Sequence, residues 1–184
     1  IHPSKLPFYR GPVPTAWAIQ NDEESFGITI HKIDKGIDTG DIYVQKTYDI
    51  LEDETGYSLY LRAMSLGFEL LKDNFEKLIN GNIKSKKQIG VGSYYGKKNG
   101  RYFINWSENT KKIKNMIRVH AYPFNSAETR LLNRIFFINS AIIFNPVNYT
   151  SQGCGKIVEV LNNNKLVVSC GDGCLLIDDY KIYP

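Results

Sequence analysis

Two residues of this chain are suited to acid–base chemistry by type and setting, a histidine and an aspartate each held in a loop of prolines or glycines. The histidine lies in Ile1-His2-Pro3-Ser4-Lys5-Leu6-Pro7-Phe8-Tyr9-Arg10-Gly11, the aspartate in Asp34-Lys35-Gly36-Ile37-Asp38-Thr39-Gly40. Imidazole titrates near physiological pH, and Pro3 and Pro7 restrict φ while pushing the residues before them to extended backbone. The first segment therefore reads as a strand end entering a stiff loop. The second follows an apolar run with Asp-x-Gly-x-Asp-x-Gly, whose glycines permit a tight turn expected to expose Asp38. A histidine on one strand-end loop beside an aspartate on another is how a general base and its orienting carboxylate are built. Spacing alone also suits a satisfied core histidine and an ordinary Asp-Gly turn.

Taken together, HPSKLPFYRG and FGITIHKIDKGIDTG resemble the formyltransferase family that takes a formyl group from 10-formyltetrahydrofolate. That family carries Asn-x-His-Pro-Ser-x-Leu-Pro-x-aromatic-Arg-Gly, then Gly-(Val/Ile)-Thr-x-(His/Met)-x-x-Asp-x-Gly-x-Asp-(Thr/Ser/Ala)-Gly, at a separation this chain matches. The resemblance implies that His2 and Asp38 are catalytic, two members of an Asn-His-Asp set, with an ionised Asp38 favouring the His2 imidazolium. It places Asp34, Gly36 and Asp38 in the loop that contacts the pterin of the donor, and Ser4, Lys5, Tyr9, Arg10 and Gly11 where the acceptor binds. His31 is expected to face the cleft as a further site residue. Arg10 would serve phosphate or sugar hydroxyls through its planar fork, or else close a structural salt bridge. The resemblance also implies an Asn immediately before Ile1, on the His2 face of its strand, and an upstream α/β segment of the same protein to carry it.

These loops need elements to hold them. A short helix is expected over Ala16–Gln20, with Trp17 and Ile19 available for burial. Phe26 to Ile33 alternates apolar and polar residues as a strand does, which puts His31 on one face with Thr29 and Ile33. Asp41 to Ile50 is a second strand, rich in β-branched and aromatic residues. Asp53, Glu54 and Thr55 then introduce a long amphipathic helix from about Gly56 to Asn80, with Leu59, Ala63, Leu66, Leu70, Phe75, Leu78 and Ile79 as its buried stripe and Gly81 as its stop. This pattern predicts the C-terminal part of an α/β, Rossmann-like domain over residues 1–83.

Residues 84–108 read as a polar, lysine-rich linker region, and 109–184 as a helix plus a small OB-like β-domain. Asn109 or Ser107 would cap a helix from Thr110 to about His120. Short strands follow at Phe136–Phe144, Gly155–Leu161, Lys165–Cys170 and Cys174–Asp178, parted by Asn-Pro, Asn-Asn-Asn and Gly-Asp-Gly turns, as in a small barrel or sandwich. This half is similar to the β-domain that follows the catalytic domain in formyltransferases acting on methionyl-tRNA or on nucleotide-linked amino sugars. The similarity runs through Tyr94-Tyr95-Gly96, Ile104-Asn105-Trp106, Ile113 to Arg118, Tyr122-Pro123 and Gly171-Asp172-Gly173-Cys174-Leu175-Leu176-Ile177.

In 184 residues with a formal net charge of +4, the basic excess is too weak to argue for nucleic acid. The lysine run from Lys84 to Lys114 suits either a solvated surface or a binding patch. Cys154, Cys170 and Cys174 lack zinc spacing and read as buried free thiols, so no metal is expected. No apolar run is long enough for a membrane span, and a cytoplasmic enzyme is expected. Among acceptors, a nucleotide-linked (dTDP) amino sugar is favoured over methionyl-tRNA, because His31 stands where the tRNA enzymes often carry Met and because Asp178-Asp179-Tyr180 is acidic. Tyr122 and Phe124, on either side of Pro123, would stack on the nucleotide base or pack between domains. The remaining partners left open are a homodimer and, as a non-enzymatic alternative, a folate- or nucleotide-binding module.

Overall fold

The computed structural model describes residues 1–96, 100–131, 133–144 and 153–183 and divides the chain into two units. The first holds Ile1–Glu54 and Ser58–Asn99, the second Thr55–Tyr57 and Gly100–Pro184.

In the first unit, helix α1 (Pro14–Gln20) starts two residues before the expected Ala16. Proline is favoured in a first helical turn, where its missing N–H would have no partner anyway. Ala18 and Ile19 are buried, whereas Trp17 stays half-buried against the ring of Tyr95, 4.9 Å away. Strands β1 (Ser25–His31) and β2 (Ile42–Asp49) pair antiparallel, with Ile30 opposite Val44. Apart from an isolated parallel bridge between Arg10 and Tyr94, no parallel pair occurs in the described part of this unit, whose sheet is a two-stranded antiparallel one.

The alternation expected of β1 is absent from its burial, because every residue from Phe26 to Ile30 is buried. Both faces are covered. On the Gly27–Thr29 face the N-terminal loop passes so close that a Cβ on Gly27 would sit 2.5 Å from the Lys5 Cα. On the Ile28 face lies helix α2 (Gly56–Ile79), whose Gly67 approaches the Ile28 methyl. Ile33 falls beyond the strand and is 97% exposed, so it does not share a sheet face with His31.

Leu59, Ala63 and Leu70 form the buried stripe of α2, but Phe75 and Ile79 are exposed instead of buried. The reason is length. Twenty-four residues of helix extend about 36 Å, whereas the seven residues of β1 reach only about 23 Å, so the last turns outrun the sheet. The helix is tied down at its start by Arg62, whose guanidinium donates to both oxygens of the buried Glu54 carboxylate at 2.6 Å and to the Asp49 carbonyl. Glu54 therefore serves as an anchor for Arg62 and for the Leu51 N–H.

In the second unit, α3 (Thr110–His120) is capped by Asn109, whose side chain accepts from the Lys112 N–H at 2.8 Å. Strands β3 (Ala127–Leu131), β4 (Arg134–Phe144), β5 (Ile157–Leu161), β6 (Lys165–Ser169) and β7 (Cys174–Tyr183) form one antiparallel sheet in the order β3-β4-β7-β6-β5. The expected barrel or sandwich is, among the described residues, a single five-stranded sheet with β3 and β5 at its edges. Strand β3 was not expected, since Ala-Glu-Thr-Arg-Leu lacks an apolar alternation. Its Glu128 is buried all the same, with Arg101 against its carboxylate at 2.7 Å. Ile113, Ile117, Ile138, Leu175 and Ile177 form the core between α3 and this sheet.

The Gly171-Asp172-Gly173 turn has a structural task. Asp172 accepts from the Thr110 N–H at 2.7 Å, and a Cβ on Gly171 would collide with the Ser107 carbonyl at 2.3 Å. The turn between β6 and β7 is thereby seated on the first turn of α3. Cys170 and Cys174 are buried free thiols, with burial pushing the Cys170 thiol up to about 12. Cys154 is free but exposed, against expectation. The Asn145-Pro146 turn, Lys97 and Lys98 lie outside the described residues. Among those described, no helix is long and apolar enough to cross a membrane, and no cluster of His, Cys, Asp or Glu could hold a metal ion.

Candidate active site

His2 sits at the edge of β1, exchanging two backbone hydrogen bonds of 2.9 Å with Thr29. The chain then turns over Gly27, secured by the buried Thr29 hydroxyl donating to the Ser4 carbonyl at 2.7 Å and by Gln45 donating to the Leu6 carbonyl at 2.9 Å. That turn returns the Tyr9 carbonyl to His2, 2.8 Å from Nε2. A carbonyl can only accept, so Nε2 carries the proton of that bond and Nδ1 is left for other work.

The second loop brings Asp38 to that nitrogen. Asp38 Oδ2 lies 3.5 Å from His2 Nδ1, and the same oxygen accepts the Gly11 N–H at 2.9 Å. The turn was expected to expose Asp38; it points the carboxylate inward instead, with a side-chain exposure of 20%. The physical cause lies at Asp38 itself, which adopts the left-handed conformation (φ 55°), rather than at the neighbouring glycines. Its backbone is held by Gln88, whose amide donates to the Asp38 and Gly40 carbonyls, both at 2.8 Å. His31, at the end of β1, reaches the other carboxylate oxygen, with Nε2 3.6 Å from Asp38 Oδ1. One carboxylate thus faces two imidazoles whose rings stand edge to face, 6.4 Å apart.

Burial dominates the electrostatics of His2. Its pKa is lowered, first by desolvation and then by His31, against the raising effects of the Tyr9 carbonyl and Asp38. The imidazolium expected from the Asp38 charge is therefore disfavoured: an ion pair at 3.5 Å does not repay the loss of water around a ring this deeply buried. The neutral form of the His2 ring is thereby favoured.

The remaining candidates divide. Tyr9 stacks on Tyr95 with ring centroids 4.9 Å apart, and its hydroxyl donates to Glu23 at 2.6 Å; desolvation and that bond raise its pKa. Gly11 has φ 95° and is approached so closely by the Tyr95 carbonyl that a Cβ would sit 2.4 Å from it. Arg10 does not stand free, and among the described residues it closes no salt bridge: its guanidinium donates to the Gln88 side-chain oxygen at 2.6 and 3.2 Å. Ser4 is buried and donates to the Phe8 carbonyl, while Lys5 is exposed. Asp34 is exposed and accepts from the Thr39 hydroxyl and the Gly36 N–H, which lowers its pKa, Thr39 contributing most. Tyr122 and Phe124 belong to the second unit, where they border a cleft of about 440 Å³ with Arg101, Asn139, Lys181 and Tyr183.

Gln88, Ser93 and Tyr95 were missed because they lie in the span read as a linker. Ser93 accepts the Tyr9 and Arg10 N–H groups, and Tyr95 donates its own N–H to the Arg10 carbonyl. The Ser-Tyr-Tyr-Gly cluster was the available signal.

Comparison with known proteins gives a consistent set of likenesses. Residues 1–75 match the family model described as formyl transferase, and residues 97–182 the one described as formyl transferase, C-terminal domain. The methionyl-tRNA formyltransferase of Geobacter metallireducens is 31% identical over 99% of this chain, and that of Clostridium botulinum 34% identical over 97%. The chain spans 57% of the length of each of these two. Among solved structures, an N-formyltransferase from Helicobacter canadensis in complex with folinic acid and dTDP-3-aminofucose aligns with a TM-score of 0.78 at 27% identity, covering 97% of this chain and 64% of that one. A sugar 3N-formyltransferase, WlaRD, in the presence of dTDP and 5-N-formyl-THF aligns with a TM-score of 0.77 at 30% identity, covering 96% and 62%.

Proposed function

Because this chain belongs to the formyl transferase family, we propose that its protein moves a formyl group from 10-formyltetrahydrofolate to the amine of a nucleotide-linked amino-deoxy sugar. The observation that carries the sugar reading is the likeness to WlaRD over 96% of the chain at 30% identity. His31 beside Asp38 and the acidic Asp178-Asp179 pair in β7 favour it too. A second reading, methionyl-tRNA as acceptor, is favoured by curated relatives up to 34% identical. Since the chain spans 57% of such relatives, the activity proposed is that of the whole protein.

The residues present suit such a donor. The Asp34–Gly40 loop presents the exposed Gly36 and Ile37, with Ile33 just before it, the two isoleucines 59% and 97% exposed, a surface on which a flat pterin can lie. When bound, the donor would supply an activated formyl carbon: the acceptor amine would form a new C–N bond and give up a proton, while the bond from the formyl carbon to N10 breaks and tetrahydrofolate leaves with a proton on N10. His2 is equipped to take a proton at Nδ1, because Nε2–H is committed to Tyr9 and the new imidazolium would face the Asp38 carboxylate. Gly11 and Gln88 hold Asp38 in place for that role. Arg10 orients Gln88. In the second unit, exposed Tyr122 and Phe124 beside Lys181 offer the aromatic faces and positive charge that suit a nucleotide. The unit's sheet is proposed to be part of an OB-like domain.

The test is direct. The full-length protein is incubated with 10-formyltetrahydrofolate and either a dTDP-linked amino sugar or methionyl-tRNA, and the formamide is sought by mass spectrometry. Product from the sugar alone is expected. Product from the tRNA alone would establish the second reading, and no product from either would remove formyl transfer to both acceptors.

A further inference from the structure

The stretch that reads as linker brings one side chain to both of the loops that hold His2 and Asp38. Gln88 is half-buried, and its amide is engaged at both ends. Its Oε1 accepts from Arg10 Nε at 3.2 Å and from Arg10 Nη2 at 2.6 Å, while its Nε2 donates to the Asp38 and Gly40 carbonyls, both at 2.8 Å. These partners dictate which way the amide faces. A guanidinium only donates and a carbonyl only accepts, so the reversed amide would set donor against donor at one end and acceptor against acceptor at the other. The backbone around Gln88 is located from both sides. Lys86 exchanges hydrogen bonds of 2.7 and 2.8 Å with Ile42, just past the Asp38 loop. Ser93 accepts the Arg10 N–H and Tyr95 donates to the Arg10 carbonyl, both at 2.9 Å.

What the amide holds is a backbone that needs holding. Asp38 has φ 55°, in the left-handed region that residues with a side chain enter sparingly and keep only where their surroundings impose it. In that conformation the carboxylate turns inward, to 3.5 Å from His2 Nδ1, whereas an Asp-Gly turn left to itself suits an exposed aspartate. One amide fixes the carbonyls on both sides of Thr39, and Gly11 fixes the carboxylate from the other loop at 2.9 Å. We propose that Gln88 is a positioning residue of the His2–Asp38 pair and that Arg10 acts through it. The Arg10 guanidinium fixes the amide, the amide fixes the Asp38 loop, and the carboxylate is thereby kept at His2. The inference deepens the formyl-transfer reading and rests on it. A proton taken at His2 Nδ1 needs its counter-charge within reach, and a displacement of about 1 Å in such a pair can cost about 10²-fold in rate.

The test uses the full-length protein with Gln88→Met, Gln88→Glu, Arg10→Met, and Arg10→Met combined with Gln88→Met. Methionine keeps the length of the side chain without its hydrogen bonds, whereas glutamate keeps an acceptor for Arg10 and loses both N–H groups. Crystal structures of the wild type and Gln88→Met locate Asp38, and kcat and KM are measured with 10-formyltetrahydrofolate and the acceptor that yields product. In Gln88→Met the Asp38 carboxylate is expected to leave His2 Nδ1. Both Gln88 variants should lose about 10–100-fold in kcat, with KM for either substrate changed less than about twofold. Because Gln88→Glu keeps the tie to Arg10, its loss reads the donated N–H groups even if Gln88→Met does not fold. The combined variant should lose no more than Gln88→Met alone, since the two side chains act in series. An Asp38 that stays at His2 in Gln88→Met overturns the proposal, as does near wild-type kcat in Gln88→Glu. A loss confined to the acceptor KM, or losses that add in the combined variant, would overturn it as well. If neither acceptor yields product with the wild type, the formyl-transfer reading fails, while the crystal structures still decide whether Gln88 sets Asp38.

Discussion

At the scale of single residues, the site turns on what surrounds His2. Asp38 is close enough to stabilise a proton on Nδ1 but does not hold one there at rest, because burial outweighs its charge. Removing either member should therefore reduce turnover far more than stability. We expect His2→Ala and Asp38→Asn in the full-length protein to lower kcat by about 10²–10⁴-fold with an unchanged circular dichroism spectrum. Near wild-type turnover in either variant would show that the pair is not the acid–base centre. The lowered pKa of His2 also has a consequence for stability, with a definite sign. In the unfolded chain His2 protonates at about 6.5; in the folded chain it does so only at lower pH. Below 6.5 the unfolded state binds more protons, so stability present at neutral pH is lost as pH falls toward the folded value. Melting curves from pH 7 to 5 should show a steeper loss in the wild type than in His2→Gln; parallel curves would mean that His2 is not buried as described.

Elements set the residues in place, and two of them do so through their ends. Strand β1 ends at His31 and carries His2 along its edge, so a single strand positions both imidazoles. Its covered faces explain why Gly27 lies under the N-terminal loop: any side chain there would strike Lys5. In the second unit, α3 begins where Asn109 and Asp172 accept its first free N–H groups, one from within the chain's own run and one from the turn between β6 and β7. Each acceptor satisfies a donor that no intrahelical carbonyl can reach. Asn109→Ala and Asp172→Ala should each lower the unfolding free energy by about 1 kcal/mol in urea titrations. If Asp172→Ala were neutral, the Gly-Asp-Gly turn would have no part in holding the helix.

For the molecule as a whole, ligands that bind the folded state must raise its stability by mass action. A folate at about 100 times its dissociation constant should add about 2.7 kcal/mol, visible as a higher Tm of the full-length protein. A dTDP-linked amino sugar should raise Tm further and methionyl-tRNA should not, if the acceptor is a sugar. A rise with tRNA alone would reverse that assignment. Both units match formyl transferase models, and two sugar N-formyltransferase structures seen with folate and dTDP compounds align with 97% and 96% of the chain.

The amino-acid sequence by itself determined what depends on near neighbours. The two motif loops, the strands β1 and β2, the span of α2 with its Gly81 stop, and the Asn109 cap are all local, set by alternation, capping chemistry and the φ preferences of proline and glycine. The tertiary structure decided what depends on water and on distant partners. Phe75 and Ile79 carry a helix-face pattern, yet their exposure follows from how far β1 extends beneath them. Gln88 holds the Asp38 carbonyl from 50 positions away, in a stretch whose composition reads as linker. For His2 the same division holds: Asp38 favours the imidazolium as the motif implies, but only the packed fold shows how much water has been taken from the ring and that this outweighs the carboxylate. Desolvation is a property of everything that surrounds a group, and no short run of sequence encodes it.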